Sequence, residues 1–388
     1  MKRISFNVPP FAGREFEYIK DAIDVQKKIS GDGKYTKLCS EYMEKMYRVK
    51  RALLTTSCSH ALDMSAIVTD IKEGDEVILP SYTFVSTANA FVLRGAKVVF
   101  VDIKPETMNI NEKLIESAIT ERTKAIVPVH YAGVGCEMDE IMGIAKKHNL
   151  YVIEDAAQGV ISKYKGKYLG TIGDLGAYSF HETKNYTCGE GGALLINNPE
   201  FLEISEIVRE KGTNRARFFR GEVDKYTWVE KGSSYLPSEI NAAFLYAQLE
   251  EAEKIDFNRI RSWRRYYKNL KQLRNMGFID LPYVPDHCEH NAHMFYIKLK
   301  NLEERTKFME AMKNRGIGAV FHYVPLHSSP AGLKYGRFHG EDIYTTKESD
   351  RLVRLPIYYN LKDEDITYII KSVYEFFGQV IKDVELIS

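Results

Sequence analysis

Cysteine is scarce in this chain and unpatterned: Cys39, Cys58, Cys136, Cys188 and Cys288 lie far apart and form no CxxC pair. That argues against a disulfide-stapled fold and against the common cysteine-based metal sites, and it suits the reduced thiols of a cytoplasmic protein. An excess of one charge is also missing. Lys plus Arg number 54 and Asp plus Glu 53, so no overall positive field favours nucleic acid or an anionic membrane surface. No uninterrupted apolar run reaches spanning length, and the start, MKRISFNVPPFAG, meets Pro9 and Pro10 where a signal peptide needs an apolar stretch. Low-complexity tracts and internal repeats are absent too, so disorder is not expected and a small molecule is the expected partner.

What is present is enough chain for a large core. At 388 residues and 44% hydrophobic, the length exceeds that at which one core usually stops growing, and two domains sharing a site are expected. From about residue 50, short β-rich runs alternate with amphipathic segments: RALLTT (51–56), EVILP (76–80), KVVFVD (97–102), KAIVPVHY (124–131) and LYVIED (150–155). Crossover helices are expected between them, over 112–123 and 136–150 among others, which makes the sheet mostly parallel. GAYSF (176–180) and GALLIN (192–197) follow with no full helix between them, so one neighbour should be antiparallel. The class is therefore α/β. A long charged helix over 250–273 marks the change to a smaller α+β unit, giving domains 1–250 and 251–388.

Ligands of open α/β sheets sit beyond the carboxyl ends of the strands, so chemistry is sought there. VIED ends in Asp155, followed by Gln158; alone, the acid reads as a helix cap. The segment SFHETKNYTCGEGG (179–192) changes the balance, because Lys184 lies between a polar strand end, with Ser179 and His181, and a glycine-rich return. Pyridoxal phosphate needs a lysine amine for its aldehyde, an acid at its pyridine nitrogen, and backbone and hydroxyl donors for its phosphate. TTSCSHAL (55–62) runs from strand into helix and would supply those donors at Cys58 and Ser59. PSYTFVSTANA (80–90) offers Tyr82 and Phe84 to cover the ring, although such residues are more often core.

With these motifs together, the sequence resembles the DegT/DnrJ/EryC1/StrS sugar-nucleotide aminotransferases, of pyridoxal-phosphate fold type I. The likeness extends over nearly the whole chain through GDG (31–33), GDEVILPSYTFVSTANA (74–90), VHYAG (129–133), EDAAQG (154–159), SFHETKNYTCGEGG, NAHMFYIKL (291–299) and FHYVPLH (321–327). It implies a large mixed, mostly parallel sheet domain plus a smaller C-terminal domain. It implies that Lys184 is the Schiff-base lysine and later the proton carrier, that Asp155 faces the pyridine nitrogen, and that Gln158 lies near the ring hydroxyl. Phe84 would stack on the ring; Ser179, Ser59 and the Cys58 backbone would hold the phosphate. Ser234 of GSSYL stands where many members carry an asparagine that reaches the partner subunit's cofactor phosphate, so a homodimer with shared active sites is implied. His322 and His327 match a segment near the sugar-nucleotide site.

A narrower likeness, through REKGTNRARFFRGEVDKYTW (209–228) and HGEDIYTTKESDRLVRLP (339–356), is to a branch acting in enterobacterial antigen synthesis. It implies transfer of the amino group of L-glutamate to C4 of a dTDP-keto-sugar, dTDP-4-keto-6-deoxy-D-glucose, giving the galacto amine. His181 adds to the preference for C4. The gluco isomer or another nucleotide keto-sugar is the alternative product or substrate. A deoxysugar dehydratase, which carries histidine in place of the lysine, is opposed by Lys184; a cofactor-binding sensor or scaffold is the non-enzyme alternative. HCEH (287–290) with His293 fits no usual zinc spacing and reads as a surface connection, so no metal is expected. GEGG (189–192) lacks the continuation of a phosphate-binding P-loop.

Overall fold

The computed structural model describes residues 3–386. Ten strands position the site: β1 (Arg51–Thr55), β2 (Glu76–Pro80), β3 (Lys97–Val101), β4 (Thr123–Ile126), β5 (Tyr151–Asp155), β6 (Leu175–Ser179), β7 (Gly192–Ile196), β8 (Phe295–Lys298), β9 (Gly336–Phe338) and β10 (Leu352–Leu355). Eight of them form one sheet in the order β1-β7-β6-β5-β4-β2-β3-β9. Every neighbouring pair in it is parallel except the two made by β7. The short return from β6 to β7 is thus the antiparallel neighbour that the sequence predicts.

Alternation along the strands divides the core into two layers. Leu54, Ile78, Val99, Ile126 and Val152 face one side, where they pack with α1 (Lys34–Tyr47) and other helices. Leu53, Val77, Leu79, Phe100 and Ile153 face the other, against α2 (Cys58–Val68) and α3 (Val85–Val92). Further helices are α4 (Met138–His148), α5 (Leu202–Arg209), α6 (Glu239–Glu250) and α7 (Ala252–Asn275), the last entered through a break at Glu251. A separate core, with Tyr266, Phe295, Phe308, Val353 and Ile370, forms where α7 meets the antiparallel pair β8 and β10, α8 (Leu302–Asn314) and α9 (Asp363–Phe376). We propose a division near residue 250, although Ala252, Ile255 and Cys288 pack in the first of these layers and Leu326 in the second, and other segments also cross it. Ile4 belongs to the C-terminal core and pairs with Ile317, while β9 extends the N-terminal sheet beside β3.

Three expectations change. The segment 112–123 holds only a short 3-10 turn and the brief helix Ile115–Ala118. β4 stops at Ile126, since Pro128 has no N–H to continue the ladder. HCEH is no plain surface connection: Cys288–Glu289 is a two-residue strand on Lys163–Tyr164, and His290 packs on Trp263 with ring centroids 4.4 Å apart.

The two acids ending β5 diverge because successive strand residues point to opposite faces. Glu154 is fully buried and accepts hydrogen bonds from the N–H groups of Gly170 (2.8 Å), Ile172 (2.6 Å) and Gly173 (2.6 Å), with His130 Nε2 at 2.9 Å from its Oε2. It ties down the loop that feeds β6. Glu154→Gln keeps the shape but turns an amide N–H toward donors, so stability should fall by about 3 kcal/mol, the cost of stranding one or two buried donors. Urea unfolding of the variant beside the parent chain measures it; a loss below the scatter of the extrapolation refutes this role.

Candidate active site

Asp155, the second acid of β5, turns to the carboxyl edge of the sheet. Its Oδ2 accepts a 2.6 Å bond from Thr87 Oγ1 on α3, and its Oδ1 accepts from the Ala157 N–H at 3.1 Å. Thr87 is itself held by Thr83 Oγ1 at 2.8 Å. Both oxygens of the carboxylate thus receive donors while the group still borders a cavity, which orients it toward a partner bound there.

Lys184 belongs to the loop between β6 and β7. Bonds from Phe180 N–H to Gly191 O (2.8 Å), Cys188 N–H to Phe180 O (3.0 Å) and Glu182 N–H to Gly189 O (2.8 Å) fold that loop back on itself. Asn185 Nδ2 pins it to Asn291 O at 2.7 Å. The loop leaves the Lys184 amine in a cavity of about 800 Å³ that Asp155 also lines. Lys184 is partly exposed to that cavity, but the enclosing walls strip water from its amine and lower its pKa below the usual lysine range. The nearby Asp155 carboxylate opposes this shift without cancelling it.

One end of the cavity is lined by Ser57, Cys58, Ser59 and Ser86. Ser57 caps α2, accepting from His60 N–H at 3.1 Å, so the first-turn N–H groups of Cys58 and Ser59 lie outside the helical ladder. Ser59 and Ser86 share a 2.6 Å hydroxyl bond, and Ser179 lines the cavity from the end of β6. A helix N-terminus with hydroxyls around it is an anion site. The fit depends on close backbone approach: a Cβ on Gly192 would stand 2.4 Å from Cys58 N and from Ser57 C.

Phe84, 55% exposed, flanks the cavity and faces Tyr323 with centroids 6.1 Å apart, whereas Tyr82 is core. Gln158 lines the wall with both ends engaged: Oε1 accepts from Ala132 N–H at 2.7 Å and Nε2 donates to Tyr323 Oη at 2.9 Å. His322 stacks on Tyr323 at 3.6 Å, and its Nδ1 lies 2.7 Å from Tyr131 Oη. His181 sits on the cavity wall with its ring drawn outward. Its Nδ1 accepts the Thr183 N–H at 3.2 Å, which leaves Nε2, 3.6 Å from Glu190, to carry the proton.

Two sequence candidates stand apart. His327 does not line this cavity; it bonds Ser81 Oγ at 2.7 Å, lies 3.2 Å from Asp342 and packs on Phe338. Ser234 is exposed, bridged to Glu210, and also away from the cavity of its own chain. Conversely, the structure adds Ser86, Thr87, His293, Tyr323 and Arg354. The first two stand in VSTANA, beside Phe84, where hydroxyls at a strand-to-helix turn were the available signal.

A profile of the DegT/DnrJ/EryC1/StrS aminotransferase family matches residues 11–374. The chain belongs to that family. It is accordingly a pyridoxal-phosphate-dependent sugar aminotransferase, of a family that moves an amino group from a donor to a nucleotide-linked keto-sugar. An uncharacterised protein of Methanocaldococcus jannaschii is 41% identical over 84% of this chain and 85% of its own length. GDP-perosamine synthase of Escherichia coli O157:H7 is 31% identical over 97% and 100%. The solved structure of DesV from S. venezuelae superposes with a TM-score of 0.86 at 26% identity, covering 98% of this chain and 100% of that one. Its fold is the type I fold of such aminotransferases. The cavity fits the cofactor: an amine, an acid and an anion-binding helix terminus on the walls of one space.

Gly192→Ala tests that fit. The added methyl must push the Ser57–Cys58 turn away, and the affinity of the cofactor-free chain for pyridoxal phosphate should fall about tenfold or more, as when one charged hydrogen bond is lost. Fluorescence titration with the cofactor reads this directly, and unchanged affinity refutes the fit.

Proposed function

We propose that the chain catalyses amino transfer from L-glutamate to C4 of dTDP-4-keto-6-deoxy-D-glucose, giving dTDP-4-amino-4,6-dideoxy-D-galactose. The observation that carries the chemistry is Lys184 and Asp155 lining one cavity with the N-terminus of α2. When bound, the cofactor supplies an aldehyde for an amine and a protonated ring that accepts electrons.

Asp155, braced by Thr87 and the Ala157 N–H, holds the proton on the ring nitrogen. The donors of Cys58, Ser59 and Ser179 hold the phosphate, Phe84 covers the ring and Gln158 lies beside its hydroxyl. Lys184 anchors the cofactor and, once displaced by the amino donor, moves a proton at the substrate carbon bearing the transferred nitrogen. The face of the sugar turned to Lys184 decides whether the new amine is axial, so the pose set by the sugar contacts decides the isomer. His181 at the rim and His322 on the wall are the sugar-side groups in reach. His327, tied to Ser81 and Asp342, supports the wall from behind.

Support for the narrow substrate is the sequence likeness through 209–228 and 339–356, while a relative named as a GDP-perosamine synthase supports the broader reading of a nucleotide-linked sugar. We read the enzyme as cytoplasmic, serving surface-polysaccharide synthesis, and as a homodimer with shared sites. The segment that leads to Ser234 displays Phe219 at 70% and Trp228 at 77% exposure, as a surface made for a partner would. No helix of the described residues is long and apolar enough to cross a membrane.

Three measurements test the proposal. Product NMR after incubation with glutamate and a panel of dTDP- and UDP-keto-sugars should show an axial C4 amine from the dTDP substrate. An equatorial or C3 amine overturns the substrate reading alone. Because burial lowers the Lys184 pKa, its neutral amine persists where an exposed lysine is protonated. The rate of cofactor capture should therefore rise with pH and level off below the ordinary lysine value of 10.5. Lys184→Ala should capture none and turn over no substrate; a plateau only above that pH, or activity in the variant, overturns the assignment.

A further inference from the structure

Arg354 lies on β10, opposite Tyr296 of β8, and its side chain reaches the wall of the cavity that holds Lys184 and Asp155. Its guanidinium is held in place from two directions. One nitrogen, Nη2, donates to Phe321 O at 3.0 Å, and the ring of Phe6 lies 4.7 Å from its central carbon. Phe6 follows Ile4, whose pairing with Ile317 fastens this part of the chain to the C-terminal core.

What Arg354 lacks is an anion. Among the described residues no carboxylate pairs with it, and its Nε is buried without a hydrogen-bond partner. A guanidinium in that condition is destabilised unless something negative completes the site. Its surroundings are neutral: Tyr82, Tyr131 and Tyr323 stay phenols, and His293 and His322 are kept uncharged, first by burial and then by nearby cations. Lys184 is the other strong cation of the lining, and the cofactor claims it.

We propose that Arg354 binds the carboxylate of the amino donor and so aims the donor's amine at the reacting centre. This rests on the amino-donor half of the reading above and deepens it by naming the residue that selects the donor. In an α-amino acid, one carbon separates the carboxylate from the nitrogen that is transferred. The anchor must therefore share the cavity with Lys184, and Arg354 does, lining the same walls as Lys184 and Asp155. The diphosphate of a sugar nucleotide hangs from C1, across the sugar ring from C4, so its anchor belongs farther from the lysine. A planar fork of donors matches a carboxylate's two oxygens, and the surrounding rings lower the local dielectric and strengthen the pairing. The keto-sugar brings no carboxylate, so the same cavity can take both reactants in turn, with Arg354 engaged by the first.

The test separates the two half-reactions of the cofactor-loaded enzyme. Calorimetry with glutarate, a dicarboxylate without an amine, gives binding free of chemistry. Spectral conversion by L-glutamate alone gives the donor half-reaction. In Arg354→Gln, the glutarate Kd and the glutamate concentration for half-maximal rate should both rise about 10- to 100-fold. Arg354→Lys should recover part of the loss, and conversion of the amine form by the keto-sugar should change by less than about threefold. Thermal melting confirms that each variant is folded. Unchanged glutarate binding and donor half-reaction overturn the proposal, as does a loss confined to the keto-sugar half, which assigns the arginine to the diphosphate. If wild-type enzyme ignores glutamate but reacts with another α-amino acid, glutamate falls as the donor. Arg354→Gln is then scored with that amino acid by the same criteria.

Discussion

Gly192 begins β7, and β7 lies antiparallel between β1 and β6, so Thr55 and Ser179 are both its register partners at that residue. A side chain there would collide with the Ser57–Cys58 turn, since the Cβ position is 2.4 Å from its backbone. The absence of a side chain therefore lets three pieces meet: the anion-binding turn after β1, the serine at the end of β6, and the Lys184 loop joining β6 to β7. The reversal of one strand in an otherwise parallel sheet does the gathering. In an all-parallel arrangement a crossover helix would have to stand where the Lys184 loop folds back, and the amine would be carried off the sheet edge.

Electrostatically, the cavity holds few charges and keeps the others neutral. Burial removes the charge from His293 and His322, holds the tyrosines as phenols, and weakens protonation of Lys184. Against that background Asp155 and Arg354 stand out, one acid supported by donors and one guanidinium with no carboxylate partner among the described residues. On the reading proposed above, such a site offers one group to the cofactor ring and another to a carboxylate, with the Lys184 amine on the wall of the same cavity.

The C-terminal part supplies this second point. Tyr323, His322 and Arg354 all come from beyond α7, and Gln158 joins the two halves through its bond to Tyr323 Oη. Asp102 makes a similar tie at the far edge of the sheet. Its carboxylate accepts from the N–H groups of Ile343 (3.1 Å), Tyr344 (3.0 Å) and Thr345 (2.8 Å), fixing the approach to β10 against the end of β3. The site is thus a product of both cores, and small shifts between them would act first on the substrate side of the cavity.

Strands such as β2 and β5 were legible in the sequence because buried parallel strands are continuous apolar runs ending in the residues that do chemistry. Lys184 and Asp155 were legible for a related reason: a lysine in a glycine-rich return and an acid at a strand end are unusual locally, whatever the fold. Local pattern failed at 112–123, where helical spacing yielded little helix, and at β9, whose three residues carry too little pattern to be read. It was silent on Arg354, because RLVRLP looks like any edge strand until β10 is set against β8 and Arg354 reaches the cavity wall. It placed His322 and His327 together, and the turn at Pro325 parts them, one into the cavity and one onto Phe338. The sequence by itself determined the family and its cofactor, and it named the candidate amine, acid and anion-binding turn, since each is written in a few adjacent residues. Only the tertiary structure decided which neutral and charged groups surround them, because desolvation and the absence of an ion-pair partner depend on every element packed around a site.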